Sequence, residues 1–294
     1  MKWLRAMLAV VAVVIMIGIT FLYQHSDGVN NGESGNATVI ISINYGSKNI
    51  LKKEVRSGIS ALDALKSVAN VSTSYGGSFV SGINGIYGNV KKQVAWFYYI
   101  NGLLANVGAN HYVLHSGDVM RWDYHHWSMS FKVSAELADF PEPFIHGYEG
   151  KKRVTVIVYE DKYKEYAEQM YKYLDGRCRV RMINEKNIND DMEKRYNLIV
   201  FGTDYGVGAD LNSHYEELGF MYHVKGNAIL DRNETTYKGA FAELAQSPYN
   251  PNGTWSCQNV VLLIGGDGSY MPSLLSLLIK SKVSGFWAFA GERS

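Results

Sequence analysis

Apolar and polar positions along this chain fall into distinct regimes. Residues 1–23, MKWLRAMLAVVAVVIMIGITFLY, carry no charge from Ala6 to Tyr23, about the length of helix that spans a hydrocarbon core. Residues 24–36, QHSDGVNNGESGN, are almost devoid of apolar side chains and read as a flexible tether. Period-two alternation follows. ATVIISINYG puts Val39, Ile41, Ile43 and Tyr45 on one face, YGSKN turns the chain, and ILKKEV returns as a second strand. Ser60 caps a helix, with Asp63 as the acid of a capping-box variant and Leu62, Leu65 and Ala69 as its apolar stripe. VAWFYYI (94–100) and VMRWDYH (119–125) are further strands, the first running into Asn101-Gly102, a type I′ hairpin signal. A single helix across a mixed sheet in this order is a β-grasp arrangement, bounded at 37–134.

Residues 135–150, AELADFPEPFIHGYEG, hold two of the chain's five prolines and read as a linker. The period then changes. RVTVIVY is a continuous buried-type strand, and Tyr163, Tyr166, Ala167, Met170, Tyr171 and Leu174 follow at helical spacing. CRVRMI sets Cys178, Val180 and Met182 opposite Arg177, Arg179 and Arg181, a pattern expected of an edge strand with one solvated face. YNLIVFG and VVLLIGG are two more strands, FMYHVKGNAILD is an inserted hairpin, and SGFWAFA ends the chain as an edge strand. Strands alternating with helices predict a mainly parallel sheet with helices on both faces over 151–294. The expected fold class is therefore α+β followed by α/β, behind an N-terminal transmembrane helix.

Charge orients that helix. Lys2 and Arg5 precede the apolar run and no basic cluster follows it, so the positive-inside rule leaves the start in the cytoplasm and exports residues 24–294. A cleaved signal peptide would export the same residues. An uncleaved signal-anchor is preferred because the run is long and ends in FLYQHSDG, a poor cleavage site. Export agrees with four glycosylation sequons, at Asn36, Asn70, Asn233 and Asn252. It also permits a disulfide between the only cysteines, Cys178 and Cys257, which could equally stay free thiols. The formal charge of +1 argues against nucleic acid as a partner. The expected location is the cell membrane, with a small-molecule ligand or an envelope or transporter protein as partner.

On β-strand geometry, Trp96, Tyr98 and Ile100 share one face and Phe97 and Tyr99 the other. One helix covers one face only, which leaves an aromatic patch with Trp122 and Tyr124 nearby. Such a patch is the footprint of a flat ligand, a sugar or a protein, unless it is a second small core beneath the 102–117 loop. Adjacent His125 and His126 point to opposite faces and suggest structural or surface roles rather than a metal site.

YGGSFVSGINGI (75–86), WFYYING (96–102) and Gly117-Asp118 before Trp122 carry a resemblance. Residues 38–127 resemble a family of extracytoplasmic domains of unassigned function, related to the C-terminal domain of transcobalamin and intrinsic factor. The resemblance implies that the domain closes over a corrinoid such as cobalamin, although the helical partner domain of the transcobalamins is absent here. The expected ligand-binding residues are Tyr75, Phe79, Trp96, Tyr98, Tyr99, Asn101, Trp122 and Tyr124. No cofactor or metal is expected beyond that ligand. The alternative is a structural or protein-interaction module of the cell envelope without a small-molecule ligand.

GGDGS (265–269) resembles the nucleotide-binding loop of NAD kinases and diacylglycerol kinases. Export would remove it from ATP and Mg²⁺, and about 26 residues follow it where those kinases place a large domain. A tight strand-to-helix turn with Pro272 opening the helix explains it more simply. Asp204 in FGTDYGVG sits in a similar turn, so Asp204 and Asp267 form a second candidate site at the edge of the parallel sheet. No Ser-His-Asp order, zinc-protease or Walker motif is present, and no catalytic residue is assigned.

Overall fold

The computed structural model describes residues 35–77, 79–127, 133–280 and 283–294. The expected signal-anchor at 1–23 and most of the tether lie outside them. The first unit begins with β1 (Asn36–Ile43) and β2 (Lys48–Arg56), then α1 (Ala61–Lys66). It continues through β3 (Val71–Ser74), β4 (Phe79–Ile83), β5 (Ile86–Tyr87), β6 (Val94–Ile100), β7 (Leu103–Leu104) and β8 (Val119–His126). The main sheet has the order β2-β1-β8-β6-β7, with β1 and β8 parallel. Strands β3, β4 and β5 form a separate small sheet. This is an α+β unit whose main sheet resembles a β-grasp. Ser60 caps α1 as its sequence dictates, its Oγ accepting from Asp63 N at 3.0 Å. Asn101 and Gly102 both have positive φ, as a type I′ turn demands. Tyr45 departs from expectation: it lies in the β1–β2 turn at φ 55, and β1 ends at Ile43.

The second unit comprises β9 (Thr155–Tyr159), α2 (Lys164–Leu174), β10 (Val180–Asn184), α3 (Asp190–Arg195), β11 (Asn197–Phe201), α4 (Gly206–Ser213) and α5 (Tyr215–Leu218). It then runs through β12 (Tyr222–Lys225), β13 (Ala228–Asp231), β14 (Thr236–Gln246), β15 (Val260–Gly266), α6 (Met271–Ile279) and β16 (Trp287–Arg293). Its eight strands form one sheet, β10-β9-β11-β15-β14-β13-β12, with β16 on β14. Only β10, β9, β11 and β15 pair in parallel; β14 pairs antiparallel with β15, β13 and β16. The expectation of a mainly parallel sheet is therefore corrected to a mixed one. Parallel neighbours need a crossover, but after α5 the chain returns through the β12–β13 hairpin directly into β14.

Stretch 133–150 is packed. Ala135, Leu137, Phe140, Phe144 and Tyr148 are buried in the same hydrophobic cluster as α1, α2 and α6. Gln246 N donates to Ser134 Oγ at 2.9 Å, and Leu137 N donates to Phe286 O at 3.2 Å. Phe286 sets its ring against Tyr99, Tyr45 and His125, closing the face of the first sheet opposite α1. The two units thus share a core.

Among the described residues no helix is long and apolar enough to cross a membrane. The longest, α2, has 11 residues, about 16 Å against a hydrocarbon core of about 30 Å. The single-pass architecture is corrected to that extent: no described element is a membrane span, and the segment on which it rested lies outside the described residues. The membrane partner, cell-membrane location and surface-capture role that rested on it are not carried forward. Both cysteines are free. Cys178 sits at the end of α2, whereas Cys257 is buried with its Sγ 3.4 Å from Leu104 O, so the disulfide is not formed. Burial pushes the Cys257 thiol up to about 12. All four sequon asparagines are exposed.

Candidate functional site: an exposed aromatic face and a filled crevice

The eight residues expected to bind ligand separate into two groups. Trp96, Tyr99, Asn101 and Trp122 are buried. Tyr98 stacks on its cross-strand neighbour Trp122 at 4.9 Å, and its hydroxyl donates to Val107 O in the loop above. Trp96 packs on Tyr124 at 5.2 Å and donates from Nε1 to Ile86 O at 2.8 Å, while Tyr124 Oη donates to Tyr87 O at 2.9 Å. Asn101 is spent on the fold, its Oδ1 accepting from Val119 N and its Nδ2 donating to Asp118 and Gly147 O. On the opposite sheet face His125 lies between Tyr45 and Phe97, at 4.4 and 4.6 Å, with Nδ1 2.7 Å from Asp123. His126 is exposed. Both faces of the sheet are thus covered, one by α1 and the 102–117 loop, the other by Val133, Phe286 and Trp287.

Tyr75 and Phe79 behave differently. Tyr75, in the turn between β3 and β4, is 79% exposed and Phe79 47%; Ile86 (37%) and Tyr87 (57%) on β5 and Val90 (73%) in the turn after it join them. The Tyr75 and Phe79 rings meet edge-on at 6.4 Å. Tyr87 lies flat over Gly82, where any Cβ would collide with its ring, and its hydroxyl is 3.2 Å from Ser72 Oγ. Tyr75 holds a left-handed backbone, φ 51, which costs a bulky residue about 1–2 kcal/mol. Exposed Lys91 and Lys92 follow immediately. Ile86, Tyr87 and Val90 were missed by sequence reasoning. The available signal was GINGIYGNV: apolar residues among Gly and Asn, on strands too short to reach the core.

The second place is the carboxyl end of the parallel strands. The chain leaves β9 through α2 to β10 on one side, then crosses through α3 to β11 on the other. The gap between β9 and β11 is therefore the topological switch point, where open α/β sheets bind ligands. Here it is filled by the protein. Buried Glu160, just beyond β9, accepts from Asp204 N at 2.7 Å and Tyr205 N at 3.3 Å with the same oxygen. These N–H groups enter α4, where an anion would sit. A Cβ at Gly202 would run into this carboxyl, so glycine is required for it to enter. Lys162 Nζ stands 3.5 Å from Glu160 and 2.5 Å from Asp204. Burial opposes the lysine's charge, but the bond to Asp204 and its acidic surroundings hold its pKa above the ordinary value. Glu160 and Lys162 carried no sequence signal, because nothing local marks a carboxylate as internal.

Asp204 is thus paired to Lys162. Asp267 caps its own turn through Ser269 N at 2.8 Å, a bond that holds its carboxyl below the usual range. The GGDG glycines are explained by packing: a Cβ at Gly266 would strike Gly239 O on β14. Tyr163, in the 3-10 turn Asp161–Tyr163 that leads into α2, and Tyr166 of α2 donate to the carbonyls of Gly266 and Gly268, at 2.5 and 3.0 Å.

Residues 58–126 match a family described as a domain of unknown function, DUF4430. The match runs from the entry of α1 to the end of β8 and includes the exposed small sheet. Two solved structures are similar. One is a candidate metal binding protein from Ruminococcus gnavus, with 15% identity over 31% of this chain and 95% of that one and a TM-score of 0.26. The other is haptocorrin in complex with Cbi, with 16% identity over 32% of this chain and 26% of that one, also at 0.26. No curated protein matches the chain. The first unit therefore carries a DUF4430 domain with weak structural resemblance to haptocorrin. Identity and TM-score at these levels carry no argument about ligand. With Trp96, Tyr99 and Trp122 buried, the expectation of corrinoid capture by this sheet is corrected.

Proposed function

We propose that this chain is a protein-interaction module that binds a protein partner through the small sheet β3–β4–β5. One observation carries the reading: five of the nine large apolar side chains exposed on the described surface lie within residues 75–90. Scattered exposed apolar residues need no explanation, but a cluster does. Tyrosine-rich patches are the usual anchors of protein interfaces, because a ring contributes a large contact area at low entropic cost. Here Tyr87 is already held over Gly82 and Tyr75 meets Phe79, which reduces the ordering cost of binding. Lys91 and Lys92 beside the patch favour a partner whose apolar contact surface is rimmed by acidic residues.

The test is affinity capture from the native cells with the full chain and with a Tyr75→Gly/Tyr87→Ser variant, then titration of the purified captured protein. Tyr75→Gly removes the ring while relieving a left-handed backbone, so loss of binding is not loss of fold. The expected result is a stoichiometric partner whose affinity falls tenfold or more in the variant at an unchanged melting temperature. A partner held equally by both forms would overturn the assignment.

A further inference from the structure

Below the parallel sheet, at the amino-terminal ends of β9 and β10, the chain forms an open groove of about 300 Å³. Its walls carry Lys152, Arg153, Arg177 and Arg179, with Phe144 and Cys178 between them. In a chain whose formal charge is +1 over 294 residues, four cations around one groove are a local excess. None of the four is in an ion pair among the described residues. The carboxylates that act on Cys178 are Glu142 and Asp175. Glu142 is engaged by His146, at 2.5 Å from Nδ1, and Asp175 is exposed on the turn.

Arg177 and Arg179 are held in place by the backbone rather than by counter-ions. Arg177 donates to Tyr173 O and lies over the Tyr173 ring at 4.5 Å. Arg179 Nη2 reaches Lys152 O at 3.5 Å, which draws the two strand ends together. Arg153 is half-buried and has no hydrogen-bond or ion-pair partner among the described residues. Burial alone pushes its guanidinium below the ordinary value. Arg121 shows the contrast: burial opposes its charge too, but Glu136 and Asp139 more than offset this and its pKa is raised. A partly desolvated cation without a counter-ion is costly, and a bound anion removes that cost.

We propose that this groove is a binding site for a compact, multiply charged oxyanion of the phosphate, pyrophosphate or sulfate class, gripped by Arg153 and Arg179 with Lys152 and Arg177 at its rim. Guanidinium forks match such groups two oxygens at a time, and three of the four cations are arginines. The volume lies at the lower end of small-molecule sites, which suits one or two tetrahedral groups better than a large cofactor. The site lies at the end of the sheet opposite to Glu160 and is independent of the aromatic face.

The experiment is calorimetric titration of the full chain with inorganic pyrophosphate at low ionic strength, with inorganic phosphate and sulfate as competitors. The expected result is saturable 1:1 binding that weakens as chloride is raised. Affinity should fall tenfold or more in Arg153→Gln and in Arg179→Gln, and be unchanged in Lys53→Gln, a cation on exposed β2. Arg153→Gln removes an unpaired charge, so its melting temperature should not fall, which separates lost binding from lost fold. Absence of saturable binding by all three anions would overturn the proposal, as would equal affinity in Arg153→Gln. Binding of a long polyanion without pyrophosphate binding would overturn the compact ligand class.

Discussion

Replacing Glu160 by alanine removes the carboxylate around which the β11–α4 turn is built. Its Oε1 accepts two backbone N–H groups, at 2.7 Å from Asp204 and 3.3 Å from Tyr205. An orphaned buried donor costs about 1–3 kcal/mol, and the longer bond counts toward the lower end, so the loss is about 2–4 kcal/mol. Lys162 keeps Asp204 as partner and adds little to that loss. For a chain of this size the melting temperature should fall by about 5–15 °C. Glu160→Gln keeps an accepting oxygen and should lose only about 1 kcal/mol. The alanine variant also vacates an anion position facing the entry to α4. If inorganic phosphate occupies it with a dissociation constant on the order of 10 mM, 100 mM phosphate should restore about 1.4 kcal/mol. The assay is thermal unfolding by circular dichroism in an Arg153→Gln background, which takes the basic groove out of the comparison. The Glu160-containing parent is measured alongside, so that the general stabilisation by phosphate cancels. The reasoning is refuted if the alanine variant melts with its parent, or if phosphate raises both equally.

Two further outcomes follow from buried groups. Glu243, on β14, accepts from Met221 N and Tyr222 N at 2.6 and 2.8 Å, yet burial pushes its carboxyl up to about 8. A carboxyl raised in the folded state holds its proton where the unfolded chain has released it. The contribution of Glu243 to stability should therefore be fully present below the unfolded pKa of about 4.3, decline as pH rises toward about 8, and be lost above, a span of up to roughly 5 kcal/mol. Urea unfolding at intervals across that window should show the decline in the native chain and a flatter profile in Glu243→Gln. Phe286→Ala should cost about 3–5 kcal/mol, because the ring is buried against Tyr99, Tyr45 and His125. Tryptophan fluorescence and far-ultraviolet circular dichroism should give coincident unfolding curves for the native chain. In the variant the two curves should separate as the units uncouple, whereas an unchanged midpoint would mean that the ring is not their joint.

The local elements were legible where the signal was local. Ser60 caps α1, Asn101-Gly102 makes its turn, and FMYHVKGNAILD forms the β12–β13 hairpin. β14 was not legible: TYKGAFAELAQ is rich in helix formers, yet it pairs along both edges. Burial between neighbouring strands overrides intrinsic preference there. The candidate site was half legible. Tyr75 and Phe79 were singled out with six neighbours that turned out covered, because alternation reports that a sheet face is apolar and not what lies on it.

Taken alone, the order of residues determined which segments turn, which alternate and which faces must avoid water, since those properties act within a few residues. The tertiary structure decided which apolar faces stay open, by bringing Phe286 and Trp287 onto the first sheet and leaving the β3–β4–β5 rings bare. It also decided that the switch-point crevice is occupied, by placing the Glu160 carboxyl against N–H groups more than forty residues away. Exposure and charge neutralisation depend on contacts between distant parts of the chain, and no local pattern encodes which distant part will arrive.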